Sequence, residues 1–165
     1  AVVQYLEDGS KCDGLVHAAS EALSDTADDA RKAFLSILAE IDAAPAALTG
    51  ALRSHLRTGD DETRVLAARA LLGIEGQRDT AMAVLLELAT AEKTADVAAT
   101  GAIGAIRAID ALGEAGTAAG AATSLLERLL GAAEPAVRAR AALALARIDP
   151  DAGMKTAVQA LFVWL

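Results

Sequence analysis

The stretch Glu134-Pro135-Ala136-Val137-Arg138-Ala139-Arg140-Ala141-Ala142-Leu143-Ala144-Leu145-Ala146-Arg147-Ile148-Asp149-Pro150 carries the pattern that decides the fold. Four of its apolar residues are spaced three and four apart: Ala141, Ala144, Leu145 and Ile148. This spacing places them on one face of an α-helix. Pro135 suits the first turn of that helix and Pro150 the turn after it. The stretch therefore predicts an amphipathic helix whose buried face consists mainly of small side chains.

The same pattern occurs four times along the chain. Each copy ends with isoleucine and an acidic residue, at Ile41-Asp42, Ile74-Glu75, Ile109-Asp110 and Ile148-Asp149, at intervals of 33, 35 and 39 residues. The three earlier apolar stripes are Phe34, Ile37, Leu38 and Ile41; Ala67, Ala70, Leu71 and Ile74; and Ala102, Ala105, Ile106 and Ile109. Ten residues before each isoleucine stand Arg31, Arg64, Ala99 and Arg138. Recurrence at this period is the sequence signature of stacked helical repeats.

A second amphipathic stretch follows each of these helices after a short turn. Its apolar residues are Leu48, Leu52 and Leu56; Met82, Leu85 and Leu88 or Ala89; Leu125, Leu126 and Leu129; and Ala157, Val158 and Leu161. Leu15, Ala19 and Leu23 stand 33 residues before the first set and indicate an earlier partial repeat, whose first helix is reduced to residues 1–8. We expect one domain over 1–165, with the partial repeat at 1–25 and repeats 1 to 4 at about 26–58, 59–92, 93–131 and 132–165.

Composition and charge exclude several classes of function. Of the 165 residues 54% are hydrophobic but only 2% aromatic, and the net charge is −8. An acidic surface repels phosphate groups, so we expect neither nucleic-acid nor membrane partners. Because Cys12 is the single cysteine, no internal disulfide can form. The chain shows no signal peptide and no initiator methionine, so we expect a cytoplasmic fragment of a longer protein.

We find no constellation of residues that predicts catalysis or cofactor binding. His17 and His55 lie at non-equivalent repeat positions without further ligands at metal-binding spacing, so we assign no metal and no cofactor. The glycine-rich segment 113–120 lacks the preceding strand and following lysine of a phosphate-binding loop, and it predicts a turn between two helices. Cys12 has no neighbouring base. We therefore assign no catalytic residue and expect the protein not to be an enzyme.

The repeats resemble the HEAT family, closest to the short bacterial type also found in phycobilin lyases. Residues 134–150 and 61–75 match that type best, 28–42 less well, and 96–110 least, because Ala99 replaces the arginine. The resemblance implies an all-α fold: a right-handed α-solenoid of about four and a half antiparallel helix pairs, with the second helices lining a concave surface. The His-Glu dipeptides by which some HEAT-like enzymes hold iron are absent at His17 and His55.

The resemblance implies a groove along the second helices. We therefore expect the chain to be a non-enzymatic scaffold that binds a protein, a peptide or neighbouring domains of its parent chain. The candidate contacts are exposed residues of the second helices: Arg53, Arg57, Glu87, Arg128, Lys155 and Gln159. Two alternatives are a regulatory or sensor segment of a larger ATPase and a lyase-like subunit that binds a chromophore. Absorbance of copurified material would identify the second, and the flanking sequence the first.

Three further expectations concern packing. The arginines Arg31, Arg64 and Arg138 are predicted to pair with acidic residues of neighbouring repeats, and Gly101 and Gly104 to allow close helix packing. The apolar end of the chain has three explanations: the parent chain continues, the segment folds back, or two copies associate end to end through Phe162, Trp164 and Leu165. We favour continuation.

Overall fold

Helices make up most of the part of the chain that the structure, a computed structural model, describes: residues 12–24, 28–40, 44–90 and 98–162. They are α1 Cys12–Ser24, α2 Asp28–Glu40, α3 Thr49–Thr58, α4 Asp61–Leu72, α5 Arg78–Thr90, α6 Ala98–Glu114, α7 Thr123–Leu129, α8 Pro135–Ile148 and α9 Ala152–Phe162. Two 3₁₀ segments, Ala46–Leu48 and Gly116–Ala122, lead into α3 and α7. These ranges contain no strand, which confirms the all-α prediction. Within them, no helix combines the length and apolarity that crossing a bilayer requires.

Side-chain caps and a proline mark the starts of three helices. The Asp60 side chain accepts a hydrogen bond from the backbone N–H of Thr63 at 2.8 Å and so caps the N-terminus of α4. The carboxylate of Asp149 accepts from the backbone N–H of Ala152 at 2.9 Å, just ahead of α9. Pro135 occupies the first turn of α8, where its missing N–H costs nothing.

The chain divides into two compact units, Ala1–Ala81 and Met82–Leu165, and helix α5 runs across the division. In the first unit, α4 packs on both α2 and α3, and α1 packs on α2. Helix α4 is buried on most of its circumference, and its predicted stripe Ala67, Ala70, Leu71 is fully buried. Helix α4 begins the predicted repeat 2, and the two helices it packs on, α2 and α3, lie in the predicted repeat 1.

In the second unit, α8 is the central helix. It packs on α6 and α7, which belong to repeat 3, and on α9, its partner within repeat 4. Its predicted stripe is buried at all four positions: Ala141, Ala144, Leu145 and Ile148. Helix α8, the first of the predicted repeat 4, thus packs on two helices of the predicted repeat 3, as α4 does on two helices of the predicted repeat 1.

Other predicted stripes are wrong at particular positions. In α2 the buried residues are Leu35 and Leu38, whereas Ile37 is 51% exposed, because position 37 faces neither α1 nor α4, the helices packed on α2. In α9, Ala157 is buried but Val158 is 43% exposed, since α8 covers one side of α9 only. Ala105 and Ile106 are half-buried. Some predicted residues, or their side chains, are not described by the structure: 1–8, Leu15, Ile41, Ala99, Ala102 and Leu161.

Two further glycines, Gly113 and Gly153, lie close to the backbone of α8. A Cβ on Gly113 in α6 would lie 2.9 Å from the Cα of Ala144, and one on Gly153 in α9 would lie 2.1 Å from the carbonyl oxygen of Leu145. Both contacts are with α8, so its neighbours on two sides approach its backbone. Gly101, of the predicted pair, is outside the described side chains.

Candidate functional site

Two candidate contacts, Arg53 and Arg57, lie one turn apart on α3 in the first unit. Both are exposed, whereas Leu52 and Leu56, on a different face of the helix, are buried. Residues four apart in a helix have neighbouring side chains, so the two guanidinium groups share one surface. Neither forms an ion pair with an acidic residue in the part of the chain that the structure describes.

His55, between these arginines, is a structural contact. Its Nε2 lies 3.0 Å from the carbonyl oxygen of Leu23, which accepts a hydrogen bond from it. Burial lowers the pKa of His55, against the opposing effect of this hydrogen bond, and nearby Arg31 lowers it further. His55 is therefore neutral at pH 7, and it joins α3 to the last turn of α1. His17, by contrast, is exposed, with its Nε2 3.6 Å from a Glu21 carboxylate oxygen.

The other four candidates, Glu87, Arg128, Lys155 and Gln159, are exposed in the second unit. Lys155 and Gln159 lie one turn apart on α9. Arg128 borders an open depression of about 840 Å³, whose described lining residues are Thr90, Leu125, Arg128, Leu129, Gly131, Ala132, Ala133 and Glu134. The six candidates thus form a pair on α3, a pair on α9, one residue beside the depression and one, Glu87, on α5.

At all three positions, the repeated arginines make contacts other than the predicted ion pairs with neighbouring repeats. Arg64 Nε donates to the carbonyl oxygen of Leu56 in α3 at 3.0 Å. Arg138 Nη1 donates to the carbonyl oxygens of Ala132 and Ala133, just after α7, at 2.8 Å each. Carbonyl groups at helix ends have no partner within the helix, so an arginine that follows the turn can satisfy them. Arg31 instead pairs with Asp28 in its own helix.

Ion pairs between repeats are made by residues that the sequence analysis did not single out. Lys32 Nζ in α2 lies 2.7 Å from a carboxylate oxygen of Asp60 and 3.4 Å from one of Glu62, both at the start of the next repeat. In the second unit, Arg140 in α8 donates to the Asp110 carboxylate in α6 at 3.1 Å. The acidic residue that follows each of the four aligned isoleucines was the available signal, because Asp110 belongs to that series.

The charged groups around Lys32 shift one another's ionisation. Hydrogen bonds to Asp60 and Asp28, outweighing partial burial, raise the pKa of Lys32 well above its usual value. Partial burial raises the pKa of Asp60, but hydrogen bonds from Lys32 and Thr63 outweigh it and lower this pKa to about 2. The hydrogen bond from Lys32 also lowers the pKa of Asp28. The cluster holds its charges across the neutral pH range.

No protein-family model and no curated protein matches the chain. Among solved structures, it is similar to the crystal structure of an engineered protein, a target of the Northeast Structural Genomics Consortium. The two are 28% identical, with a TM-score of 0.52, over 90% of this chain and 68% of the other.

In the ranges that the structure describes, no three His, Cys, Asp or Glu side chains converge as metal ligands.

Proposed function

We propose that the protein is a non-enzymatic interaction module: a right-handed α-solenoid of HEAT-like helix pairs whose second helices present a concave groove to a protein or peptide. The packing within each unit supports the stacked arrangement, because α4 and α8 each pack on both helices of the preceding repeat. Such stacks bury their apolar stripes against neighbours and leave one row of helices exposed for binding. The similarity to the engineered protein supports the all-helical fold and carries no activity.

The observation that carries the binding proposal is the exposed pair Arg53 and Arg57 on α3. These guanidinium groups belong to a second helix, and no carboxylate among the described residues neutralises them. Guanidinium groups bind carboxylates through paired, charge-assisted hydrogen bonds. We therefore propose an acidic segment of a partner protein, or of a neighbouring domain, as the ligand of this part of the groove.

A titration with a synthetic glutamate-rich peptide, followed by NMR, tests this proposal. We expect the amide and guanidinium signals of Arg53 and Arg57 to shift. In the double variant R53E/R57E the affinity falls at least about tenfold, equivalent to about 1.4 kcal/mol.

The control variant R78E/R147E introduces the same change in charge at two other exposed arginines. We expect it to retain most of the affinity, because its arginines lie outside α3. Equal weakening in both double variants would show that the peptide responds only to net charge, and the assignment to α3 would then be wrong.

A further inference from the structure

Side chains from other helices bind carbonyl groups at the ends of three described helices. His55 Nε2 donates to the carbonyl oxygen of Leu23 in the last turn of α1, and Arg64 donates to that of Leu56 in α3. Arg138 donates in the same way just after α7. Leu23 stands 33 residues before Leu56, so these two carbonyl groups are repeat-equivalent. At the end of α1, His55 therefore has the role that arginines have at the two later positions.

These donors differ in how they respond to pH. An arginine stays protonated in proteins, whereas histidine gains or loses its charge near neutral pH. A carbonyl oxygen can only accept, so the neutral His55 ring carries its proton on Nε2. On protonation Nδ1 becomes a second donor, and Nδ1 forms no hydrogen bond with the residues that the structure describes. The site thus fits the neutral ring and offers no partner to the second donor of the charged one.

The surroundings of His55 also disfavour a charged ring. Burial lowers the pKa of His55 most, against the smaller opposing effect of the Leu23 hydrogen bond, and the charge of Arg31 on α2 lowers it further. Two more arginines, Arg53 and Arg57, belong to α3 itself. Carboxylates of the adjoining helices pair with other cations: Glu21 with His17, Asp28 with Arg31 and Lys32, Asp60 and Glu62 with Lys32, and Asp61 with Arg64. No described carboxylate raises the pKa of His55.

We propose that His55 is an acid-sensitive tie between α1 and α3, and that protonation of its ring opens the contact of these two helices. The charged ring moves to solvent, and the hydrogen bond to Leu23 is lost with it. Helix α1 keeps its packing on α2, and α2 keeps its packing on α4, so the opening is local. The tie needs no ligand at Arg53 and Arg57, and so it goes beyond the acidic-ligand site proposed above.

Proton linkage gives the direction of the effect. Because the pKa of His55 in the folded protein lies below its ordinary value of 6.5, the closed contact binds a proton less readily than the opened one does. The contact is therefore most stable above pH 6.5 and weakens as the pH falls below this value. Its opening gives solvent access to the side chain of Leu23, which is 2% exposed when the contact is closed.

Two measurements on the full chain test the proposal. An NMR titration of the His55 ring gives its pKa and its tautomer, and we expect a pKa below 6.5 and a proton on Nε2 in the neutral ring. Amide hydrogen exchange, corrected for the intrinsic effect of pH on the exchange rate, reports the opening of α1. We expect protection in the last turn of α1 to fall at least about threefold between about pH 7.5 and about pH 5, while protection in α8 stays constant.

The matched variant is H55Q, because a glutamine amide can donate to the Leu23 carbonyl oxygen but takes up no proton. We expect its α1 protection to be independent of pH. H17Q, which removes the exposed histidine of α1, should respond as the wild type does.

A His55 pKa of 6.5 or above would overturn the proposal without the use of any variant. Constant protection of α1 in the wild type, an equal loss of protection in H55Q, or a response abolished in H17Q would also overturn it. So would an equal loss of protection in α8, because acid would then open the protein as a whole and not the contact that His55 makes.

Discussion

At the scale of single residues, Asp60 serves both its own helix and the neighbouring repeat. Its carboxylate caps α4 through the backbone N–H of Thr63, and it lies 2.7 Å from Lys32 Nζ in α2. Half of the Asp60 side chain is exposed, so solvent screens the ion pair and its contribution is modest. The cap orders one helix, and the ion pair fixes that helix against the preceding repeat.

The lowered pKa of Asp60 predicts a pH-dependent contribution to stability. With the pKa at about 2 in the folded protein and 3.8 as its ordinary value, the contribution is complete above about pH 4 and is lost as the pH falls toward 2. D60N retains the cap, because asparagine also caps helices, but removes the charge. We expect D60N to be less stable than the wild type at pH 7 by up to about 1 kcal/mol.

Thermal melts of D60N and the wild type between pH 2 and 7 measure this effect. We expect their difference to shrink below pH 4 and to vanish near pH 2. D29N, which changes an exposed aspartate in α2, should follow the wild type throughout. A difference between D60N and the wild type that stays constant over the whole range would contradict the assigned charge interaction.

At the scale of helices, the sequence predicts a buried face best where a helix has neighbours on several sides. In α4 and α8 the alanine and leucine stripe is buried as predicted, because each packs on both helices of the preceding repeat. In α2, Leu35 and Leu38 have further apolar residues beside them in the sequence. The pattern alone therefore could not show that Ile37 lies on the exposed side of the helix. Which side of an apolar helix is covered depends on its neighbours, and a repeat alignment assumes the same neighbours everywhere.

The candidate site was predictable only in part for the same reason. Exposure of Arg53 and Arg57 follows from their position on a different face from the buried Leu52 and Leu56, and the α3 pattern determines it. The contacts of Arg64 and Arg138 with carbonyl oxygens could not be predicted. Every residue carries a backbone carbonyl group, so the sequence does not indicate which one accepts the hydrogen bond. Local periodicity predicts faces, whereas partners across a turn depend on three-dimensional geometry.

Gly113 and Gly153 lie at two helix contacts that have no room for a Cβ atom. G153A places a Cβ 2.1 Å from a backbone carbonyl oxygen of α8, and G113A places one 2.9 Å from the Ala144 Cα. Because backbone atoms cannot move aside as a flexible side chain can, α9 or α6 must shift. We expect each variant to lose about 1–3 kcal/mol in urea unfolding, with G153A the more destabilised.

G50A provides the control, since a Cβ at this position of α3 meets no atom within 4 Å. Alanine is a better helix former than glycine, so G50A should be unchanged or more stable by up to about 1 kcal/mol. If G153A were as stable as G50A, the close approach of α9 to α8 would be wrong.

At the scale of the whole molecule, the contacts gather into two compact units, Ala1–Ala81 and Met82–Leu165. In each, the first helix of a predicted repeat packs on two helices of the predicted repeat before it. In repeat proteins, stability is approximately a sum of nearest-neighbour terms, so a local defect need not unfold the entire chain. Equivalent substitutions in the two units should therefore destabilise the protein by similar amounts. Each should act mainly on the unit that contains it.

Leu71 in α4 and Leu145 in α8 allow a matched comparison, because they occupy the same repeat position and are 0% and 1% exposed. Replacing a buried leucine by alanine typically costs about 2–5 kcal/mol. We expect L71A to raise amide hydrogen exchange mainly in α2 to α4, and L145A mainly in α6 to α9, because exchange reports the opening of each contiguous unit. Mass spectrometry of exchange at matched times, with the wild type as reference, measures both patterns. Uniformly raised exchange over both units in either variant would instead mean that the chain opens as one cooperative body, and stability would then not be local to each stack of helix pairs.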